Sequence, residues 1–215
     1  MNTFLPHRRS LLLAGCALLP ALARAQSDFG PPPAPDAADP PAPPPPPPPA
    51  PSTPPVPPAE VVAELPQARL LGSGRLRYMG LHICDARLWV GPGFSAARYA
   101  SHPLALELQY GRGLSGRRIA DRSMSEMSRI GTVPEGKADA WLAEMTAAFP
   151  DVRKDDRITG VLHPGASVVF YVNGVRRREV ADPQFAALFF AIWLSPAASE
   201  PTLRDALLGP GRGAP

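Results

Sequence analysis

Between Pro31 and Pro58, 18 of 28 residues are proline. Each proline removes an N–H donor and fixes φ, so this stretch can be neither a helix nor a central strand. Whatever folds and carries chemistry must therefore lie after it, in roughly the last 150 residues, a length sufficient for one buried core. Residues 26–58 read as a disordered, semi-rigid proline-rich spacer, residues 59–209 as one globular domain and residues 210–215 as a tail. At about 3.1 Å per residue in polyproline II, the proline tract would reach on the order of 85 Å when fully extended.

Residues 1–25 read as an export signal. Arg8-Arg9 precede the mostly apolar run Leu11 to Ala23, and Ala23-Arg24-Ala25 is a small-x-small cleavage site. The string Arg8-Arg9-Ser10-Leu11-Leu12 also fits a twin-arginine signal. Cleavage after Ala25 would leave a periplasmic chain beginning at Gln26. The competing pattern is Leu13-Ala14-Gly15-Cys16, at which a bacterial lipoprotein would be cleaved and acylated, giving a membrane anchor at a lipidated Cys16. The apolar run ahead of Cys16 is short, so cleavage at Ala25 is preferred.

The formal charge of +3 belongs mostly to this signal. Without Arg8, Arg9 and Arg24, the 22 basic residues fall to 19 against 19 acidic ones. A nearly neutral domain lacks the dense cationic field that nucleic-acid binding requires, so no nucleic-acid partner is expected. With Cys16 in the signal, Cys84 is the one remaining thiol and no intrachain disulfide can form.

Beyond the spacer, strands and helices alternate. Val61 to Leu65 and Ala68 to Leu71 read as short strands, and Leu76 to Val90 as a long strand or hairpin kinked near Gly80. Ser95 to Ala100 suits a short helix. Leu104 to Tyr110 alternates Leu104, Leu106 and Leu108 with Ala105, Glu107 and Gln109, which predicts a strand buried on one face. A helix over Ser115 to Ile130 follows. A second helix is predicted from a Thr132-x-x-Glu135 capping box, with Trp141, Leu142, Met145 and Phe149 in its stripe. Arg157 to Leu162, Ser167 to Val172 and Val175 to Val180 read as strands, the last two joined by the hairpin signal Asn173-Gly174. Asp182 can cap a helix with Pro183 in its first turn and Phe185, Leu188, Phe189, Ile192 and Trp193 on one face. A short helix, Thr202 to Leu208, ends at Gly209. The fold class is α+β, with helices on one face of a mainly antiparallel sheet.

The usual catalytic strings are missing. There is no glycine-rich phosphate loop, Gly-x-Ser-x-Gly elbow or Cys-x-x-Cys pair, and His82, His102 and His163 are too scattered to suggest a metal site. No cofactor is expected.

Several strings, in order, resemble the chalcone isomerase-like family: Leu71-Gly72-Ser73-Gly74-Arg75-Leu76-Arg77, Asp85-Ala86-Arg87-Leu88-Trp89-Val90, Ala148-Phe149-Pro150-Asp151-Val152 and Val172-Asn173-Gly174. The segments Phe185 to Leu194 and Leu203 to Gly209 complete the pattern, which looks most like the family's exported bacterial branch. The resemblance implies an open-faced β-sandwich, a curved antiparallel sheet under a helical layer with a ligand cleft between them. In the plant enzymes that cleft closes a chalcone to a flavanone without a cofactor. In fatty-acid-binding members it holds an acyl chain, with an arginine on the carboxylate.

By that resemblance, the enzyme's strand threonine, a tyrosine in the fatty-acid binders, aligns with Cys84. Its tyrosine, lysine and asparagine at the next helix fall on Ser115, Arg118 and Arg122, and its arginine after Gly-x-Gly falls between Arg75 and Arg77. All four non-arginine positions are changed. The expected ligand site is Arg75, Arg77, Cys84, Ser115, Arg118 and Arg122, and buried guanidinium groups there would call for an anionic partner. The reading is a non-catalytic binder of a small amphipathic anion such as a fatty acid. Its alternatives are a chalcone isomerase-type intramolecular lyase, or a structural or partner-binding domain on a proline spacer.

Overall fold

The computed structural model describes residues 55–209. The expected export signal, the expected spacer up to residue 54 and the expected tail at 210–215 lie outside the described residues. Six strands form one antiparallel sheet in which each pairs with the next in sequence. They are β1 (Arg69–Tyr78), β2 (Leu81–Val90), β3 (Leu104–Tyr110), β4 (Arg157–His163), β5 (Ser167–Val172) and β6 (Val175–Val180). Short turns suffice for such a meander. Met79-Gly80 and Asn173-Gly174 both have paired positive φ values, the geometry that matches the twist of a two-residue hairpin.

The helices that cover the main core face are α2 (Gly116–Ile130), α3 (Ala138–Ala148), α4 (Pro183–Leu194) and α5 (Pro201–Leu208). α4 is apolar nearly all round, as its sequence predicts: Phe185 and Phe190 are fully buried and Phe189 and Leu194 nearly so. Its start is held by Asp182, whose carboxylate accepts from the Gln184 and Phe185 amides and from Lys137 Nζ and Trp141 Nε1. Beneath it Phe170 of β5 meets Phe149 and Phe189 edge-to-face, each at 5.0 Å between centroids.

α5 lies against β1, and this contact explains the two glycines of Leu71-Gly72-Ser73-Gly74. A Cβ on Gly72 would run into the Ala206 and Leu207 carbonyls, so the strand passes directly under the helix backbone. At the other end of the helical layer, the Gly116 amide donates to Asp151 Oδ1 at 2.9 Å, and Leu114 bridges Val152. These bonds fix where α2 begins.

Ala68 to Leu71 is not a separate short strand but the start of β1, which runs on through Gly72 and Gly74 to Tyr78. Three further expectations are corrected. Val61 to Leu65 is not a strand but the greater part of a short helix, α1 (Ala59–Glu64), and its C-cap Leu65, which is buried one turn on from the buried Val61. α1 packs on the reverse face of the sheet against Trp89, Ala105, Val161, Val169 and Tyr171. Consequently β3 is buried on both faces rather than one, Ala105 and Glu107 included. The third of these concerns the capping box. Gly136 adopts φ 76° and α3 starts only at Ala138, with no side-chain cap, so Thr132 and Glu135 precede the helix.

The reverse face carries buried charge. Glu60 of α1 accepts a forked bond from Arg157 and one from the Thr159 hydroxyl. Glu107 accepts from Arg87 and from Trp89 Nε1, both at 2.8 Å. Each buried carboxylate is thus fully engaged, the condition under which burial of charge is tolerated.

Candidate functional site

Between the sheet and the helical layer lies a cavity of about 380 Å³. Its floor follows from strand pairing. Leu76, Cys84 and Tyr110 are successive partners across β1, β2 and β3, and Leu108 pairs with Ile158 one step along. Side chains alternate along a strand, so these residues share the core face. Phe149, Phe189, Ile192 and Trp193 close the cavity from above, while Leu203 closes it from α5.

Apart from Tyr78 and Tyr110 on the sheet and Ser199 in a loop, the polar groups are few and come from the helices. Arg118, Arg122, Ser123 and Glu126 come from α2, Glu200 and Arg204 from the start of α5. Glu126 is buried and held by Arg122 at 2.6 Å and Arg129 at 2.8 Å. Arg204 donates to the Leu194 carbonyl and pairs with Asp205 at 3.0 Å. Among the described residues Arg118 has no carboxylate within ion-pair distance. Trp193 Nε1 is buried and has no hydrogen-bond partner among the described residues, leaving a donor for an acceptor brought from outside.

Three of the six residues expected at the site line the cavity: Cys84, Arg118 and Arg122. The other three do not. Arg75 and Arg77 alternate with the lining residues Leu76 and Tyr78 and so face away, with Arg75 bonded to Asp85 at 2.7 Å. Ser115 is the residue before α2, where it precedes the cavity-lining turn. Tyr110, Glu126, Trp193 and Arg204 were missed. Tyr110 was legible in principle, since it continues the Leu104-Leu106-Leu108 face. Arg204 had no sequence signal, because it depends on α5 folding back over β1.

The floor is chemically quiet. Burial pushes the Cys84 thiol up to about 12, with the Asp85 charge adding to it, so the thiol is no nucleophile near neutral pH. Burial likewise pushes the Tyr110 phenol well above the ordinary tyrosine range, the neighbouring Cys84 contributing. Both remain neutral donors. Among the described residues no group of histidine, cysteine or carboxylate side chains is placed to hold a metal ion.

Residues 97–209 match the chalcone isomerase-like family. An uncharacterized protein of Haemophilus influenzae is 29% identical over 107 residues, which cover 50% of this chain and 52% of that protein. The chain thus spans about half the length of this curated relative. The crystal structure of an Arabidopsis thaliana fatty-acid binding protein superposes with a TM-score of 0.53 at 15% identity, covering 66% of this chain and 87% of the other. The meander under a helical layer agrees with that likeness in fold, and the match over more than half of the sequence assigns the chain to the chalcone isomerase-like family.

Proposed function

We propose that the protein binds a small amphipathic anion, a fatty acid being the simplest example, with the anionic end at Arg118 and the apolar body over the floor of β1 to β4. The observation that carries this reading is the combination of a mostly apolar cavity with a lining guanidinium that has no carboxylate of its own. The volume lies within the range of about 300 to 1,000 Å³ usual for small-molecule sites. Arg122 is shared with Glu126 and Arg204 with Asp205, so they add positive potential rather than a free binding fork. The Tyr110 hydroxyl and Trp193 Nε1 supply neutral donors along the cavity. The fatty-acid-binding function of the Arabidopsis protein is consistent with this reading, although at 15% identity it speaks for the fold alone. Export to the periplasm by the N-terminal signal belongs to the same proposal.

A fluorescent fatty acid titrated into the purified protein should bind with roughly micromolar affinity, about −8 kcal/mol. Arg118→Ala should weaken it by about 1.5 to 3 kcal/mol, the value of a charge-assisted hydrogen bond. Arg77→Ala should leave it unchanged. Failure of any amphipathic anion to bind would leave the partner-binding alternative in its place.

A further inference from the structure

The geometry points to the β1–β2 turn as a membrane-docking edge that seats the mouth of the cavity on an anionic lipid bilayer. Tyr78, Met79 and Leu81 are 57%, 84% and 52% exposed, three large apolar side chains at one tip. Tyr78 also lines the cavity, so the tip and the cavity share a residue. The turn itself is unusual. Met79 holds φ 49° ahead of Gly80 at 77°, whereas the equivalent turn between β5 and β6 uses Asn173 at 50° ahead of Gly174 at 84°. Asparagine adopts the left-handed region readily and an unbranched apolar residue does not. Neither turn chemistry nor packing accounts for a methionine there.

The charges around the tip follow the same logic. Arg77 adjoins it. Arg112 follows Gly111, whose amide donates to the Ile83 carbonyl at 2.9 Å. Arg118 stands on α2 at the cavity. All three are exposed, and none has a carboxylate within ion-pair distance among the described residues. Other arginines of the sheet's reverse face differ from Arg77: Arg75, Arg87 and Arg157 each pair with a carboxylate at 2.7 to 2.8 Å. Of the acids nearby, Asp85 is taken by Arg75 and stands 3.3 Å from His82, and Glu126 is held by Arg122 and Arg129, which leaves Glu200 as the cavity-lining carboxylate without an ion pair among the described residues. An apolar tip flanked by unengaged cations is complementary to an anionic bilayer interface, into which the side chains insert while the guanidinium groups meet headgroups. A protein partner is disfavoured by area, since three side chains at the end of two strands fall far short of the roughly 1,000 Å² that a stable protein interface needs. Where a ligand takes Arg118, the docking surface keeps Met79, Leu81, Arg77 and Arg112, none of which lines the cavity. If the ligand is an amphipathic anion, docking would let it pass between leaflet and cavity without crossing water.

The test uses the purified protein carrying Cys16→Ser, so that no acyl anchor contributes. It should cosediment with vesicles of phosphatidylglycerol and phosphatidylcholine, and less so as salt rises. Met79→Asp with Leu81→Asp should lower partitioning by at least about tenfold, with unchanged circular dichroism and unchanged binding of the fluorescent acid in vesicle-free buffer. Met79→Trp should show emission quenched by bromine-labelled acyl chains. No partitioning of the parent protein, or equal partitioning of the double variant, overturns the proposal. So does a tip-dependent dimer on gel filtration without vesicle binding. Vesicle binding that persists when the fluorescent acid fails to bind supports the docking surface and removes only the ligand reading.

Discussion

Cys84 and Tyr110 are direct cross-strand partners on β2 and β3, and both line the floor of the cavity. Tyr110 thus places a phenol beside Cys84 on the cavity floor. Burial pushes the thiol up to about 12, against an ordinary value of 9.0. Because the folded value is raised, the stability it contributes is complete below about pH 9 and is lost as pH rises toward 12. The difference in unfolding free energy between the parent protein and Cys84→Ala should therefore be constant below pH 9 and shrink above it. Burial, the main cause of the Tyr110 shift, acts in both proteins and keeps the phenol protonated through the range compared, so its contribution largely cancels. Chemical denaturation at a series of pH values reads this directly, and a flat difference through pH 11 would contradict the described burial.

On the reverse face, Glu107 is 3% exposed and joins Arg87 to Trp89 Nε1. Glu107→Ala would leave a buried indole N–H and an unengaged guanidinium, at a loss of about 3 to 5 kcal/mol. Glu107→Gln keeps an acceptor for the indole and should cost less, about 1 to 3 kcal/mol. Equal effects of the two substitutions in denaturant titrations would mean that charge, not the hydrogen bond to Trp89, holds this face together.

Within α4, two aromatic residues should behave differently. Phe189 is 5% exposed and packs against Phe149, Phe170 and Phe185, so Phe189→Ala should cost about 3 to 5 kcal/mol. Trp193 lies at the partly buried end of the helix, where its ring lines the cavity. Trp193→Phe removes the partnerless indole N–H and should preserve most of the stability while weakening ligand binding. Calorimetry combined with the fluorescent-acid titration separates the two effects.

Strong local patterns made most of the fold legible. Period-two alternation places β3 at Leu104 to Tyr110 with its observed limits, and Asn173-Gly174 marks the β5–β6 hairpin. Asp182-Pro183 likewise marks the start of α4. α1 was not legible because six residues give less than two turns of periodicity, and Val61-Val62 favours a strand by propensity. The candidate site depended on phase. Leu76 faces inward, and this single fact turns both Arg75 and Arg77 outward, since one residue of offset exchanges the faces of a strand. Arg204 reaches the cavity only through the packing of α5 on β1, a long-range contact that no local pattern encodes.

The last prediction concerns catalysis, which the fold permits but the cavity does not favour. Closing a chalcone to a flavanone needs a phenolate to attack an enone while charge developing at the ketone oxygen is stabilised. Arg118 and Arg122 can contribute positive potential, yet the Arg122 fork is held by Glu126, and the Cys84 thiol stands where the resemblance expects a hydroxyl. Tyr110 stays protonated and can donate one hydrogen bond, without the partner network that would orient water. Cyclisation should therefore match the uncatalysed rate at about pH 7.5. A rate excess of roughly a hundredfold, abolished by Arg118→Ala and retained in Arg77→Ala, would show that the cavity arginines and Tyr110 suffice for the reaction.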